Sequence, residues 1–295
     1  MALVVNTNLS SMIVQKNLNA ATTILNQSIE RMTTGYKINS ARDNAAGYSI
    51  ARNWQTQLSS LDIAADNAAT GADMMTTLEA TYSLVSSHLQ RVRDLTEQAA
   101  NGTYGSDALK AIQSEITARL EEVDRIVANC EFNGLSLMDG SIKKNISLQV
   151  GLYSEDSSQI KLDKSLFADA HISTLFTTYG EIASAKRDTV ANLCSGYDGS
   201  KVTGGQNSML AKIDKVIKEL SARTTTLGSA QNRIDSAIGS ISVQTENLTS
   251  SLSTLRDSDI AEESSSYIKA QILQQASASL LATANQAPSI ALNLM

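Results

Sequence analysis

Proline is all but missing from this chain: Pro288 is the only one in 295 residues. A chain with a single helix breaker can hold very long helices. Cysteine is scarce too. Cys130 and Cys194 cannot build a disulfide framework, and neither sits in a Cys-x-x-Cys pair. One bridge and two free thiols both fit the sequence. The two histidines, His88 and His171, lie outside any His-Glu-x-x-His pattern, which argues against a zinc hydrolase. No metal or other cofactor and no catalytic residue is expected. Aromatic residues make up 4% of the chain although hydrophobic residues reach 42%. The apolar content is therefore mostly Ala, Leu, Ile, Val and Met, which suits thin helix–helix seams better than a bulky core. Positive charge is in deficit, with 24 basic against 30 acidic residues and a net charge of −6. A nucleic-acid binder needs a basic face and is not expected. No run approaches the ~18 consecutive apolar residues of a membrane span. Met1-Ala2-Leu3-Val4-Val5-Asn6 lacks the basic region and apolar block of a cleavable signal peptide, so export would need a route without one.

What the chain does have is period. Ile213, Leu220, Leu227, Ile234, Ile241, Leu248 and Leu255 recur every seven residues. Such a repeat keeps one seam facing a partner helix, and this one would run for about 65 Å. A second seam passes through Leu58, Leu61, Ala65, Ala68, Ala72, Met75, Leu78, Tyr82, Val85, Leu89, Val92, Thr96 and Ala99, and stops at Asn101-Gly102. A third comes after Ser106-Asp107, with Leu109, Ile116, Leu120, Val123 and Val127, and ends before Asn133-Gly134. At the N-terminus, Val14, Leu18, Ala21, Leu25 and Met32 share one stripe. At the C-terminus, Ile268, Ile272, Ala276 and Leu280 do the same, with Leu273 and Leu281 beside them. Gly35 and Pro288 are expected to close these terminal helices.

The middle reads differently. Ile146, Leu148 and Val150 alternate with polar residues, and so do Ile160 and Leu162, which predicts a small hairpin. Residues 163–204 mix Gly, Ser, Thr and short apolar pieces, and 198–205 read as a loop. The expected fold class is mainly α: long antiparallel helical hairpins or coiled coils with paired N- and C-termini, plus a small central β-hairpin.

A helix with a thin apolar stripe cannot bury enough area alone to offset its ordering entropy. The terminal segments also spread their apolar residues: Leu9, Met12, Ile13, Ile24 and Ile29 lie outside the main stripe at one end, and Ile268, Leu273, Leu281 and Leu292 occupy more than one face at the other. A two-helix pair hides one face only. The rest must pack on the chain's own middle or on other copies, and large exposed apolar faces favour the second reading.

Asn6-Thr-Asn-Leu-Ser-Ser11, Gln15-Lys-Asn-Leu18 and the run Ser28 to Gly47 resemble the start of a bacterial flagellin. Leu89 to Thr103 and Phe132-Asn-Gly134 resemble the next helices and turn of that family. Leu227 to Ile234, Lys269 to Gln275 and Leu281 to Pro288 resemble its other end. The likeness covers roughly residues 1–150 and 205–295.

The resemblance implies a structural subunit, not an enzyme, that polymerises into the helical filament for swimming. A hook–filament junction protein is the alternative, and a contiguous match through both rod helices favours the filament. Expected domains are 1–43 with 256–295 as the inner terminal-helix domain, 44–165 with 205–255 as a helical rod carrying the hairpin, and 166–204 as a short variable surface segment. Self-assembly is expected of Val14, Leu18, Leu25, Met32, Ile268, Ile272, Leu280 and Leu281. Implied partners are other copies of the chain, an export chaperone, and the cap and junction proteins. No membrane and no nucleic acid is implied. The implied location is the extracellular flagellum, reached through the flagellar secretion apparatus. In similar flagellins one helical surface is read by Toll-like receptor 5 as monomer; the matching residues here are Arg91, Leu95 and Glu115, with Arg as fork and Leu as apolar anchor.

Overall fold

A computed structural model describes residues 8–101, 103–177 and 205–293. Five long helices carry most of it. Helix α1 spans Leu9–Thr34, with Asn8 as N-cap accepting from the Ser11 amide and Gly35 as left-handed C-cap. Helix α2 spans Ala45–Ala99 and α3 spans Ser106–Ala128. After the central region and the short α4 (Ile172–Thr177), helix α5 spans Gly205–Arg256 and α6 spans Ile260–Asn293. Pro288 does not close the last helix, contrary to the expectation, because α6 continues through it to Asn293. One missing N–H is survivable where an outside donor meets the freed carbonyl.

The chain forms two compact units. One comprises Met1–Ser59 and Thr245–Met295; the other is Ser60–Gln244. Both boundaries fall inside long helices, α2 and α5, rather than at turns.

In the second unit the predicted seams are the core. Met75, Leu78, Tyr82, Val85, Leu89, Val92 and Thr96 of α2 are buried, as are Ile116, Leu120, Val123 and Val127 of α3 and Ile213, Leu220, Leu227 and Ile234 of α5. Seven-residue spacing with no proline keeps each set on one face, so the three helices share one interior.

Two antiparallel hairpins lie between α3 and α4. Strands β1 (Glu131–Phe132) and β2 (Leu135–Ser136) pair across Asn133 and Gly134, whose φ angles of 51° and 78° are the left-handed pair a two-residue turn needs. Strands β3 (Ile146–Gln149) and β4 (Gln159–Leu162) pair with Ile146 opposite Leu162 and Leu148 opposite Ile160, which is the hairpin the alternation predicted. Leu148 seats directly on α2 at Gly71. A Cβ there would collide with a Leu148 methyl, so the glycine lets the hairpin approach the helix.

The surface reading of 166–204 needs correction at residues 166–176. Leu166, Phe167, Ala170, Ile172, Leu175 and Phe176 are buried in the same core. Their short, unperiodic spacing hid this, because they enter from a 3-10 turn (Lys164–Phe167) and a single-turn helix rather than from one face of a long one. Residues 178–204, including Cys194 and the 198–204 part of the predicted loop, lie outside the described residues.

Candidate assembly interface and partner surface

The first unit is built around the antiparallel pair of α1 and α6. Its base is a β-bridge between Tyr36 and Asp257, with the Lys37 amide donating to the Arg256 carbonyl at 2.7 Å and the Ser258 amide to Gly35 at 2.9 Å. The Arg256 guanidinium lies 4.0 Å from the Tyr36 ring centroid. Polar ties then climb the pair. Arg31 reaches Glu263 at 2.9 Å, Gln274 donates to the Thr22 hydroxyl at 3.2 Å, and the Ser11 hydroxyl donates to Asn285 at 2.8 Å. At the top, the Asn8 side-chain amide donates to the Ala284 carbonyl at 2.7 Å.

Small residues occupy the tightest positions of this seam. Ala21, Ser28, Ala270 and Ser277 are the buried ones. Val14, Leu18, Leu25, Met32 and Leu281 are half-buried beside them. The other predicted stripe behaves differently: Ile268, Ile272 and Leu280 face outward and are 51%, 60% and 57% exposed. They are joined by Leu9, Met12, Ile13, Ile24, Ile29, Ile260 and Leu273. Hydrophobic burial is thus inverted relative to a self-sufficient coiled coil, in which the large aliphatic side chains fill the seam. The eight predicted assembly residues therefore divide in two, five lining the intrachain pair and three left uncovered.

The loop joining α1 to α2 is held by Asp43. Its carboxylate accepts from the amides of Ser40 and Asn39 and from the Ser40 hydroxyl. The hydrogen bonds from Ser40 hold its pKa below the ordinary carboxylate value.

On the second unit, Arg91 of α2 and Glu115 of α3 pair at 3.1 Å on an open surface. Arg93 beside them binds Asp214 of α5 at 2.6 Å and Glu97 at 3.2 Å. Leu95 is not with them. It is 2% exposed and belongs to the shared core, so the sequence-based reading of an accessible apolar anchor is corrected. Leu95 lies four residues after Arg91, close to one helical turn, but 400° of rotation carries it from the rim into the seam.

A partly buried polar network has almost no signature in the sequence. Arg223 of α5 donates to the Ala168 carbonyl at 2.9 Å and to Glu219 at 2.6 Å, while the Tyr82 hydroxyl donates to the Leu166 carbonyl at 2.7 Å. Burial pushes the Tyr82 pKa up. These side chains satisfy backbone carbonyls that the 3-10 turn leaves without partners and so fix it onto α2 and α5. The only sequence signal was an i,i+4 Glu219–Arg223 pair, indistinguishable from a solvated one.

Cys130 is a free, buried thiol, 3.4 Å from the Thr81 hydroxyl, and burial raises its pKa. A raised pKa means less thiolate and less reactivity. Iodoacetamide at pH 8 should leave Cys130 unmodified in the native chain and modify it after denaturation. Mass mapping that finds it alkylated at the rate of an open thiol in the native chain contradicts this packing. Among the described residues, no group of three or more His, Cys, Asp or Glu side chains could hold a metal, and no helix is long and apolar enough to cross a membrane.

Comparison with known proteins agrees across the whole chain. The profile of the bacterial flagellin N-terminal helical region matches residues 5–143, and that of the bacterial flagellin C-terminal helical region matches 210–295. Polar flagellin F of Vibrio parahaemolyticus is 31% identical with 100% of both chains covered. The flagellin of Bacillus subtilis is 32% identical with 99% of both chains covered. A solved structure from Vibrio parahaemolyticus, provisionally named a flagellar hook-associated protein, superposes with a TM-score of 0.59 at 14% identity, covering 73% of this chain and 100% of that one. That last likeness is one of fold alone.

Proposed function

The chain belongs to the bacterial flagellins, and from that membership we propose how its surfaces divide the work of building a filament. Its function is structural: it is a subunit that polymerises into the helical flagellar filament. The inverted seam of α1 and α6 carries the finer reading. Val14, Leu18, Leu25, Met32 and Leu281 join the two terminal helices within one subunit. Ile268, Ile272 and Leu280, with the outward aliphatics of α1, meet neighbouring copies. A lone copy gains little from ordering these helices, so ordering and subunit addition share one free-energy change.

Export through the flagellar secretion apparatus, with a chaperone covering the same outward aliphatics beforehand, fits this economy of surface. Cap and junction proteins would meet that surface at the two ends of the filament. The end-to-end match to flagellins gives no support to the junction role as the chain's own. Toll-like receptor 5 recognition is proposed for Arg91 and Glu115, whose forked guanidinium and carboxylate offer paired hydrogen bonds to a partner backbone. Exchanging both charges (Arg91→Glu with Glu115→Arg) keeps their mutual attraction but reverses the pattern a receptor would meet. Receptor signalling by monomer should fall at least tenfold with an unchanged melting curve; equal signalling removes these two residues from the surface.

The direct test of the main reading is electron microscopy of purified chain seeded with filament fragments. Fragments should lengthen with subunit concentration. Seeds that keep their length at any concentration would count against it.

A further inference from the structure

Pro288 is the chain's one proline, and it sits inside α6. In an α-helix the N–H of residue 288 would donate to the carbonyl of residue 284. Proline has no N–H, so the Ala284 carbonyl loses its helical donor. That same carbonyl receives the Asn8 side-chain amide at 2.7 Å. The orientation of the amide is fixed by its other end, because Asn8 Oδ1 accepts from the Ser11 amide at 3.1 Å as the N-cap of α1. One side chain therefore starts one helix and repairs the other. The neighbouring bond from Ser11 to Asn285 at 2.8 Å extends the contact along both helices.

We propose that Asn8 and Pro288 form a clasp, in which the proline frees an acceptor that Asn8 completes, tying the first turn of α1 to α6 at the end of the pair opposite the Tyr36–Asp257 bridge. The clasp supplies direction as well as attraction. The half-buried aliphatics of the α1–α6 seam, such as Val14, Leu18 and Leu281, pack without a directional preference, whereas a single freed carbonyl accepts at one position only. Asn8 is a positioning residue for assembly, and the inference rests on the filament reading above.

The test separates capping from clasping. Asn8→Ser keeps a good N-cap but is too short to reach Ala284. Pro288→Ala restores the intrahelical donor. Critical concentrations for seeded growth are measured for the full-length parent, each single variant and the double variant. Asn8→Ser should raise the critical concentration about tenfold when Pro288 is present, the scale of one unsatisfied carbonyl, and less than twofold when residue 288 is alanine. A second readout uses cysteine pairs introduced at 11 and 285 or at 22 and 274, with disulfides located by mass mapping in assembled filaments. Asn8→Ser should cut the yield of the 11–285 link several-fold, leave 22–274 unchanged, and lose its effect when residue 288 is alanine. Equal penalties in both backgrounds, or no penalty in either, overturn the clasp. A parent chain that fails to grow at all would instead strike the filament reading itself.

Discussion

A chain carrying Ile268→Asp, Ile272→Asp and Leu280→Asp should fail to polymerise while its second unit melts as before. The three side chains sit 51%, 60% and 57% exposed on α6, so the free subunit loses little when they change. In the filament reading they become buried against neighbours. Completing the burial of each contributes about 1 kcal/mol or more, and placing a carboxylate there instead costs several kcal/mol in desolvation. The sum exceeds about 4 kcal/mol, and each 1.4 kcal/mol is about tenfold. Seeded growth should therefore need more than about a thousandfold higher concentration. Normal filaments from this chain would place its subunit contacts elsewhere. Removing residues 1–33 or 260–295 should abolish growth as well, since each deletion takes away one member of the terminal pair, and a soluble fragment holding the second unit should remain.

Phe167→Ala should lower the melting temperature of the second unit by about 10 °C. Phe167 is fully buried and lies beside Leu166, whose carbonyl accepts the Tyr82 hydroxyl. Truncating a buried phenylalanine costs about 3–5 kcal/mol through lost transfer energy and the cavity left behind. For a unit of this size each kcal/mol moves the midpoint by about 2–4 °C. Tyr153→Ala, in the exposed connection between β3 and β4, serves as the control and should leave the midpoint within about 1 °C. Equal melting of the two variants would return residues 166–176 to the surface. The measurement separates assembly from folding, because Phe167 belongs to the second unit and the aspartate variants to the first.

Leu78, Leu89, Ile116, Leu220 and Ile234 were legible as core because each lies on a helix with one apolar face and a polar remainder, and only one packing hides that face. The β3–β4 hairpin was legible for the same reason at period two. For Leu95 the family likeness points to the surface, whereas its helical phase, shared with Val92 and Thr96, places it in the seam. Phe167 and Phe176 were missed because a 3-10 turn and a six-residue helix are too short to show a period.

By itself the sequence determined that this protein is a set of long helices with thin seams, and that its two ends carry more aliphatic surface than one pair can cover. Those properties arise from residue spacing, near-absence of proline and composition, which are local. Only the tertiary structure decided which side of α6 turns inward. Apolar residues surround that helix, so periodicity gives no preferred face. The choice falls to Ala270 and Ser277, small enough to let α1 approach, and to hydrogen bonds between residues far apart in the chain, such as Asn8 with Ala284.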